Sequence, residues 1–320
     1  MRRADQILVI SSHNDAHIPL VQKHLRKPFV VIDSLDMLDE IELSFSLGDT
    51  AGHVRYAGQP LDNVRSVWYR KPTSLTPDHV PVPENLKSYS LCSLQRHFYM
   101  LSNSLRSALW VNDYAAMECA DSKFPQLEMA TELGMHVPQT LMTSDAEAAK
   151  AFIGTHKHCV VKAQSANSPS LDGLNMGFLT TRISRDSLPD LSNLHLAPAI
   201  FQEAIDPLFD VRVTVVGDQV FAAKISNKGI DKHSPILDWR IGHYRGKMRI
   251  EAFPDFPDTV ARQCIDFIKL SGLLFGAIDM VMDKNGELWF LENNPNGQWG
   301  FVEICTKQPI GKALAMLLTD

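Results

Sequence analysis

LFGAIDMVMDKNGELWFLENNPNGQW, residues 274–299, is the stretch on which the reading of this chain turns. Leu274 to Met282 and Glu287 to Glu292 are apolar runs on either side of Lys284-Asn285-Gly286, which predicts a β-hairpin. Asp279 interrupts the first run at its centre, and an acid in an apolar strand is costly without a cation or metal beside it. Glu292 closes the second run, and the two-residue step to Asn294 puts both side chains on one side of an extended chain. Two carboxylates and an amide carbonyl are hard oxygen donors, a set that suits Mg²⁺ with phosphate and water completing its shell. The competing reading is a solvated hairpin end, which the flanking Ala277, Ile278, Met280 and Val281 oppose.

A metal held by acids in this way serves a phosphate, which directs attention to cations upstream. Lys123 opens a predicted helix, where the helix dipole does not favour it. Lys162 is the polar end of the apolar strand Cys159 to Lys162. Lys224 sits in the apolar strand Gln219 to Ile225, and Arg212 lies beside Asp210 in its partner, Val211 to Val216; Gly217-Asp218 turns that hairpin. Taken singly, each cation is more often a surface residue with a snorkelling stem. Together with three oxygen ligands on successive sheet elements they outline a site. There is no GxxxxGK[ST] and no GxGxxG, which excludes a Walker NTPase and a Rossmann enzyme. The histidines lack HExxH spacing, and no GxSxG points to a hydrolase. Arg70 and Lys71 end the predicted strand Ser66 to Arg70 just before Pro72. They are either an ordinary charged strand exit or contacts for an acidic peptide in a cleft between units.

The 320 residues are long for one core and predict two or three units. With 45% hydrophobic and 21% charged residues, the composition is that of a soluble globular protein. A net charge of −6 argues against a general nucleic-acid surface. The 5 cysteines form no CxxC, so neither a disulfide framework nor a zinc site is expected, and a reducing cytoplasm is the natural setting. The apolar run Ile7 to Ile10 is too short for a signal peptide, and Leu273 to Met282 is broken by Asp279, so no membrane segment is expected. Residues 1–112 read as an α/β unit with strands at Ile7–Ser11, Phe29–Ile32 and Ser66–Arg70. A Pro-rich loop follows, then a long helix whose face is Leu94, Phe98, Leu101, Leu105 and Leu109. Residues 113–198 read as a second unit: a helix at Asp121–Leu133 stopped by Gly134, and a helix opened by the Ser144–Glu147 capping box and ended by Gly154. The strand ending at Lys162 comes next, then a polar covering loop from Gln164 to Gly177 and a strand at Phe178–Ile183. Residues 199–320 hold a strand at Ala199–Ile205, the two hairpins, and a helix at Phe256–Leu270 capped by Gly272.

The order Lys123, Val161-Lys162, Phe201-Gln202-Glu203-Ala204-Ile205, Asp210-Val211-Arg212, Asp238-Trp239-Arg240, Ile278-Asp279 and Glu292-Asn293-Asn294-Pro295 resembles the ATP-grasp superfamily. Within it the chain is similar to the microviridin-type (graspetide) peptide ligases. Ser66-Val67-Trp68-Tyr69-Arg70-Lys71-Pro72, Asn294-Pro295-Asn296-Gly297-Gln298-Trp299 and Pro309-Ile310-Gly311-Lys312-Ala313-Leu314-Ala315 carry that narrower likeness. The resemblance implies an α/β fold: an N-terminal pre-ATP-grasp domain, a central lid, and a C-terminal mixed or antiparallel sheet domain. It implies that Lys123 and Lys162 contact the ATP phosphates, that Gln202, Glu203, Ala204 and Ile205 recognise adenine, and that Asp210 reaches the ribose. Asp279, Glu292 and Asn294 would hold Mg²⁺. Arg212, Arg240 and Lys224 would form the catalytic set around the transferred phosphoryl group or the substrate carboxylate, with Arg70 and Lys71 toward the peptide.

The implied partner is a ribosomally made precursor peptide with leader and core. Its Asp or Glu side chains would be phosphorylated and then attacked by Thr, Ser or Lys of the same peptide, giving ester or amide rings. The chemistry is sound, because a carboxylate is a poor acyl donor until phosphate supplies a leaving group. A homodimer is the default assembly. Two other readings stay open: a ligase that adds amino acids to a separate protein or small acid, and a non-catalytic nucleotide-binding module.

Overall fold

The computed structural model describes residues 6–46, 53–61, 63–164, 170–171, 174–175, 180–227 and 248–320. Arg240 and most of the Gln164–Gly177 segment lie outside the described residues.

The first stretch of chain supplies β1 (Gln6–Ile10), β2 (Val30–Ile32), β3 (Ile41–Ser44), β4 (His53–Tyr56), β5 (Gln59–Pro60), β6 (Val64–Tyr69) and β7 (Leu109–Val111). β1, β2, β6 and β7 pair in parallel in the order β2-β1-β6-β7, and β3 to β5 form a small antiparallel meander. The parallel strands read as continuous apolar runs because both faces are covered. On one face Leu8, Ile10, Ile32 and Val67 pack with Phe98, Leu101 and Leu105. On the other, Ile7, Val9, Trp68 and Val111 share a core with Trp299, which caps the helix Gly300–Thr306, and with Ala313, Leu314 and Leu318 of the helix Ile310–Thr319.

Next come β8 (Thr140–Thr143), β9 (Cys159–Ala163), the short pair β10 (Ser170–Leu171) and β11 (Leu174–Asn175), β12 (Thr181–Ile183) and β13 (Ala199–Glu203). They build an antiparallel sheet in the order β12-β9-β13-β8, with β10-β11 as a separate ribbon. The helix Ala146–Thr155 lays Ala149 and Ile153 against Cys159 and Phe201 of that sheet.

The largest sheet uses β14 (Pro207–Val216), β15 (Gln219–Asn227), β16 (Met248–Ala252), β17 (Phe275–Asp283) and β18 (Leu288–Asn294) in the antiparallel order β16-β15-β14-β17-β18. Both expected hairpins form. Gly217 and Gly286 take left-handed φ of 56° and 88°, values that glycine adopts without a Cβ penalty. One face carries Val211, Val213, Val215, Ile278, Met280 and Phe290 under the helix Asp258–Leu270, which buries Cys264, Phe267 and Ile268 at helical spacing. The opposite face carries Ala223, Phe275 and Ala277 toward Trp299 and the first unit.

The structure departs from expectation in three places. Leu109 is not the last turn of a helix but the first residue of β7; the helices stop at Tyr99 and Ser104. Gly154 lies within the helix Ala146–Thr155, and the cap is Asp145, whose carboxylate accepts from the Glu147 N–H. No helix of the described residues is long and apolar enough to cross a membrane.

Gly276 shows how tightly the helix seats on β17. A Cβ there would lie 2.2 Å from Ile268 Cδ1 and 2.5 Å from Asn293 Oδ1. Gly276→Ala should therefore lower stability by about 1–3 kcal/mol, the range for overpacking, as measured by urea denaturation.

Candidate active site

Strand register puts three charged residues in one line. Arg212 of β14 stands opposite Asp279 of β17, which stands opposite Glu292 of β18. Residues directly opposite in an antiparallel sheet share a face, so all three project the same way. Arg212 Nε is 3.2 Å from Asp279 Oδ1, and Lys123, the first residue of the helix Lys123–Glu132, ion-pairs with Glu292. The row thus runs cation, acid, acid, cation. One step along the strands Ala277 faces Asn294, which puts the Asn294 side chain on the same face. Asp210, two residues before Arg212, shares that face as well.

Several contacts fix the end of β18. A bulge shifts the register between Asp279 and Met280, so Glu292 pairs with Asp279 while Phe290 pairs with Met280. Gln126 donates to the Asn293 carbonyl at 2.9 Å and accepts from its N–H at 2.7 Å. Asn112 binds both sides of the site: its amide nitrogen donates to the Phe275 and Pro295 carbonyls, each at 2.8 Å, and its oxygen accepts from the Leu274 and Phe275 N–H groups. Asn294 Oδ1 accepts from the Asn296 N–H at 2.9 Å, which leaves a second lone pair on that oxygen. Two facing carboxylates and this amide fit Mg²⁺. Among the described residues no group of three or more His, Cys, Asp and Glu forms an all-protein cage. A site with few protein ligands leaves coordination positions for phosphate oxygens.

Lys162 lies on the other sheet, where Nζ donates to Gln202 Oε1 at 2.8 Å; Gln202 in turn donates to Thr140 Oγ1. Gln202 and Glu203 end β13, and only Ala204, Ile205 and Asp206 separate it from β14. The Glu203 and Ala204 N–H groups already donate to the Gln139 and His158 carbonyls. Lys224 is not with Arg212. Ala223 stands opposite Arg212, so the next residue points to the other face, where Lys224 Nζ lies 4.1 Å from the Phe253 ring centroid and 5.2 Å from that of Phe209.

Arg70, expected to meet substrate, is only 2% exposed. Its Nε faces Asp15 Oδ2 at 3.3 Å, its Nη1 donates to Asn296 Oδ1 at 2.8 Å and toward the Gly297 carbonyl at 3.3 Å, and the group lies over the Trp68 ring. Burial opposes ionisation of Asp15, but the hydrogen bond from His17 and the Arg70 charge outweigh it and hold the carboxyl far below its usual range. Lys71 points outward. Partial burial, then the Arg70 charge and more weakly that of Arg212, push its ammonium down. Beside these residues opens a cleft of about 430 Å³ lined by Arg70, Pro72, Tyr99, Tyr114, Asp121 and Asn294.

Sequence reasoning missed Asp15, His17, Asn112 and Gln126, and it marked Asn296 only as part of the Asn294–Trp299 motif. The contacts of these residues to Arg70, Trp299, Phe275 and Asn293 span long stretches of chain, and no local pattern marks them.

No protein-family model matches the sequence, and no curated protein does. Solved structures do. Macrocyclase MdnC of Microcystis aeruginosa MRC, bound with precursor peptide MdnA, superposes with a TM-score of 0.82 at 28% identity, over 98% of this chain and 99% of that one. MdnB of the same organism gives 0.77 at 25% identity, over 98% and 99%. A RiPP-associated ATP-grasp ligase of Chryseobacterium gregarium, in complex with ADP and a leader and core peptide, gives 0.87 at 23%, over 98% and 96%. This chain has the fold of the ATP-grasp macrocyclases. The charged row is a wall of the larger antiparallel sheet, on β14, β17 and β18.

The buried pair beneath that wall gives a measurable prediction. Asp15→Asn leaves the Arg70 charge uncompensated and should cost about 3–5 kcal/mol at neutral pH by chemical denaturation. Because the folded carboxyl titrates low, its contribution is fully present above the unfolded value of about 4 and is lost as pH falls below it. The gap between wild type and variant should therefore narrow in acid.

Proposed function

We propose that this protein is an ADP-forming ligase that phosphorylates Asp or Glu side chains of a ribosomal precursor peptide and closes ester or amide rings within it. The observation that carries the reading is the row Lys123, Glu292, Asp279, Arg212, with Asn294 beside it. Asp279, Glu292 and Asn294 would hold Mg²⁺, whose chemistry is to neutralise charge on the transferring phosphoryl group. Lys123, from the helix Lys123–Glu132, and Lys162, from β9, contact the phosphates. The connection Gln202 to Ile205 borders adenine, with Ile205 and side chains carrying the contacts that the engaged N–H groups of Glu203 and Ala204 do not offer. Asp210 reaches the ribose. Arg212 holds the substrate carboxylate through its planar fork as the phosphoryl group arrives, and Arg240 joins it. Lys71, outward beside the cleft, meets the acidic peptide. Lys224 takes no part in this set, since its strand turns it to the other face.

Once the acyl phosphate forms, a hydroxyl or amine of the same peptide attacks its carbonyl carbon. The carbon–oxygen bond to phosphate breaks, and phosphate leaves. Proximity in the cleft favours the ring over hydrolysis. Three units, 1–112, 113–198 and 199–320, divide the work into peptide binding, lid and metal site. Cys92, Cys119 and Cys305 are exposed free thiols, which suits a reducing cytoplasm, and a homodimer is the proposed assembly.

Incubation with ATP, Mg²⁺ and a precursor from a neighbouring reading frame should remove the mass of one water per ring. A gain in mass would support transfer of a separate amino acid, and unchanged peptides across all neighbouring candidates would sink the reading. Glu292→Gln should reduce ADP formation by about a hundredfold or more, because it withdraws charge stabilisation worth several kcal/mol. A binding module would form no ADP in either case.

A further inference from the structure

Arg70 belongs to the first unit, yet its guanidinium is spent on the loop that follows the proposed metal ligands. Nη1 donates to the Asn296 side-chain oxygen at 2.8 Å and toward the Gly297 carbonyl at 3.3 Å, while the Asn296 amide donates back to the Arg70 carbonyl. Asn296 in turn donates its backbone N–H to Asn294 Oδ1 at 2.9 Å. His17 and Asp15 brace the other side: Asp15 binds Arg70 Nε, and the Trp299 N–H points at His17 Nε2 at 3.4 Å. The loop also lies flat on β17. A Cβ on Gly297 would come within 2.3 Å of Ala277 Cβ and 3.4 Å of Arg212 Nη1, so any lift of this loop disturbs the charged row itself.

We propose that Arg70 is a positioning residue for the metal site: through Asn296 it fixes the Asn294 side-chain oxygen in the orientation that Mg²⁺ requires. The inference rests on the metal role given above to Asn294. Three features make it specific. The residue is buried and its guanidinium is engaged by Asp15 and Asn296, so its charge is committed to the protein and not to solvent. Its contacts form a fork, with Nε toward Asp15 and Nη1 toward the loop, a geometry that a lysine ammonium cannot reproduce. The relay ends on one oxygen, and an amide oxygen that is free to rotate is a poorer metal ligand than one already held. The first unit is then part of the metal site and not only a platform for peptide.

The test is direct binding of Mn²⁺ as the probe, in the presence of ADP, with free Mn²⁺ followed by electron paramagnetic resonance. Arg70→Lys and Asn296→Ala should each weaken Mn²⁺ binding by about ten- to a hundredfold, the usual loss when a group supporting a metal ligand is removed. The double variant should be no weaker than the worse single one, because both changes break the same relay. Circular dichroism melts establish that each variant is folded. If Arg70→Lys does not fold, Asn296→Ala, at a half-buried position, carries the test alone. Folded variants that bind Mn²⁺ as wild type does, or losses that simply add, overturn the proposal. Wild-type protein that binds no Mn²⁺ with ADP would instead bring down the metal assignment beneath it.

Discussion

Two carboxylates face each other on adjacent strands, and everything around them answers to their repulsion. Asp279 and Glu292 are directly paired in register, a placement that puts Cβ atoms about 5 Å apart and is unfavourable for like charges. Arg212 at one end and Lys123 at the other offset it. Lys123 sits at a helix N-terminus, against the dipole, so its position is explained by Glu292 and not by the helix. The helix is held where Lys123 can reach by Gln126, which grips the backbone of the very strand that carries Glu292.

The same constraint shapes the far side of the sheet. Its other face is packed by the helix Asp258–Leu270 and is apolar except for Lys224, held over the Phe253 and Phe209 rings, so strand alternation keeps the row of four charges on one surface. That surface meets the first unit, whose parallel sheet shares a core with Trp299 and the last helix. The interface is therefore apolar at its centre and carries the Asp15–Arg70 pair at its margin, next to the cleft.

Much of this was legible in the chain. Hairpin turns, glycine helix stops and an acid amid apolar residues are local signals, and the residues they mark, Asp279, Glu292, Asn294, Lys123 and Arg212, do come together. Local signals also mislead in recognisable ways. Lys224 and Arg212 look equivalent as cations in partner strands, but a single-residue offset in register sends them to opposite faces. Leu109 continues a helical spacing by coincidence, since the chain has already turned to enter β7. Arg70 reads as exposed because it precedes a proline loop, whereas its burial depends on a loop 226 residues away in sequence. Asn112 makes four hydrogen bonds at the start of β17 and the loop after β18, and nothing near it in sequence announces them.

The connection between the two antiparallel sheets is only Ala204, Ile205 and Asp206. So short a tether, together with the His136 carbonyl that accepts from the Phe290 N–H of β18, fixes the base of the smaller sheet to the larger one at two points. A nucleotide base lodged near residue 205 would lie at this anchored end, and Lys162 on β9 farther from it. Asp206 bonds Arg182 on one side of the junction and Lys284 on the other, all at exposed or partly exposed positions. Such pairs are screened by salt, so their hold across this junction weakens as ionic strength rises.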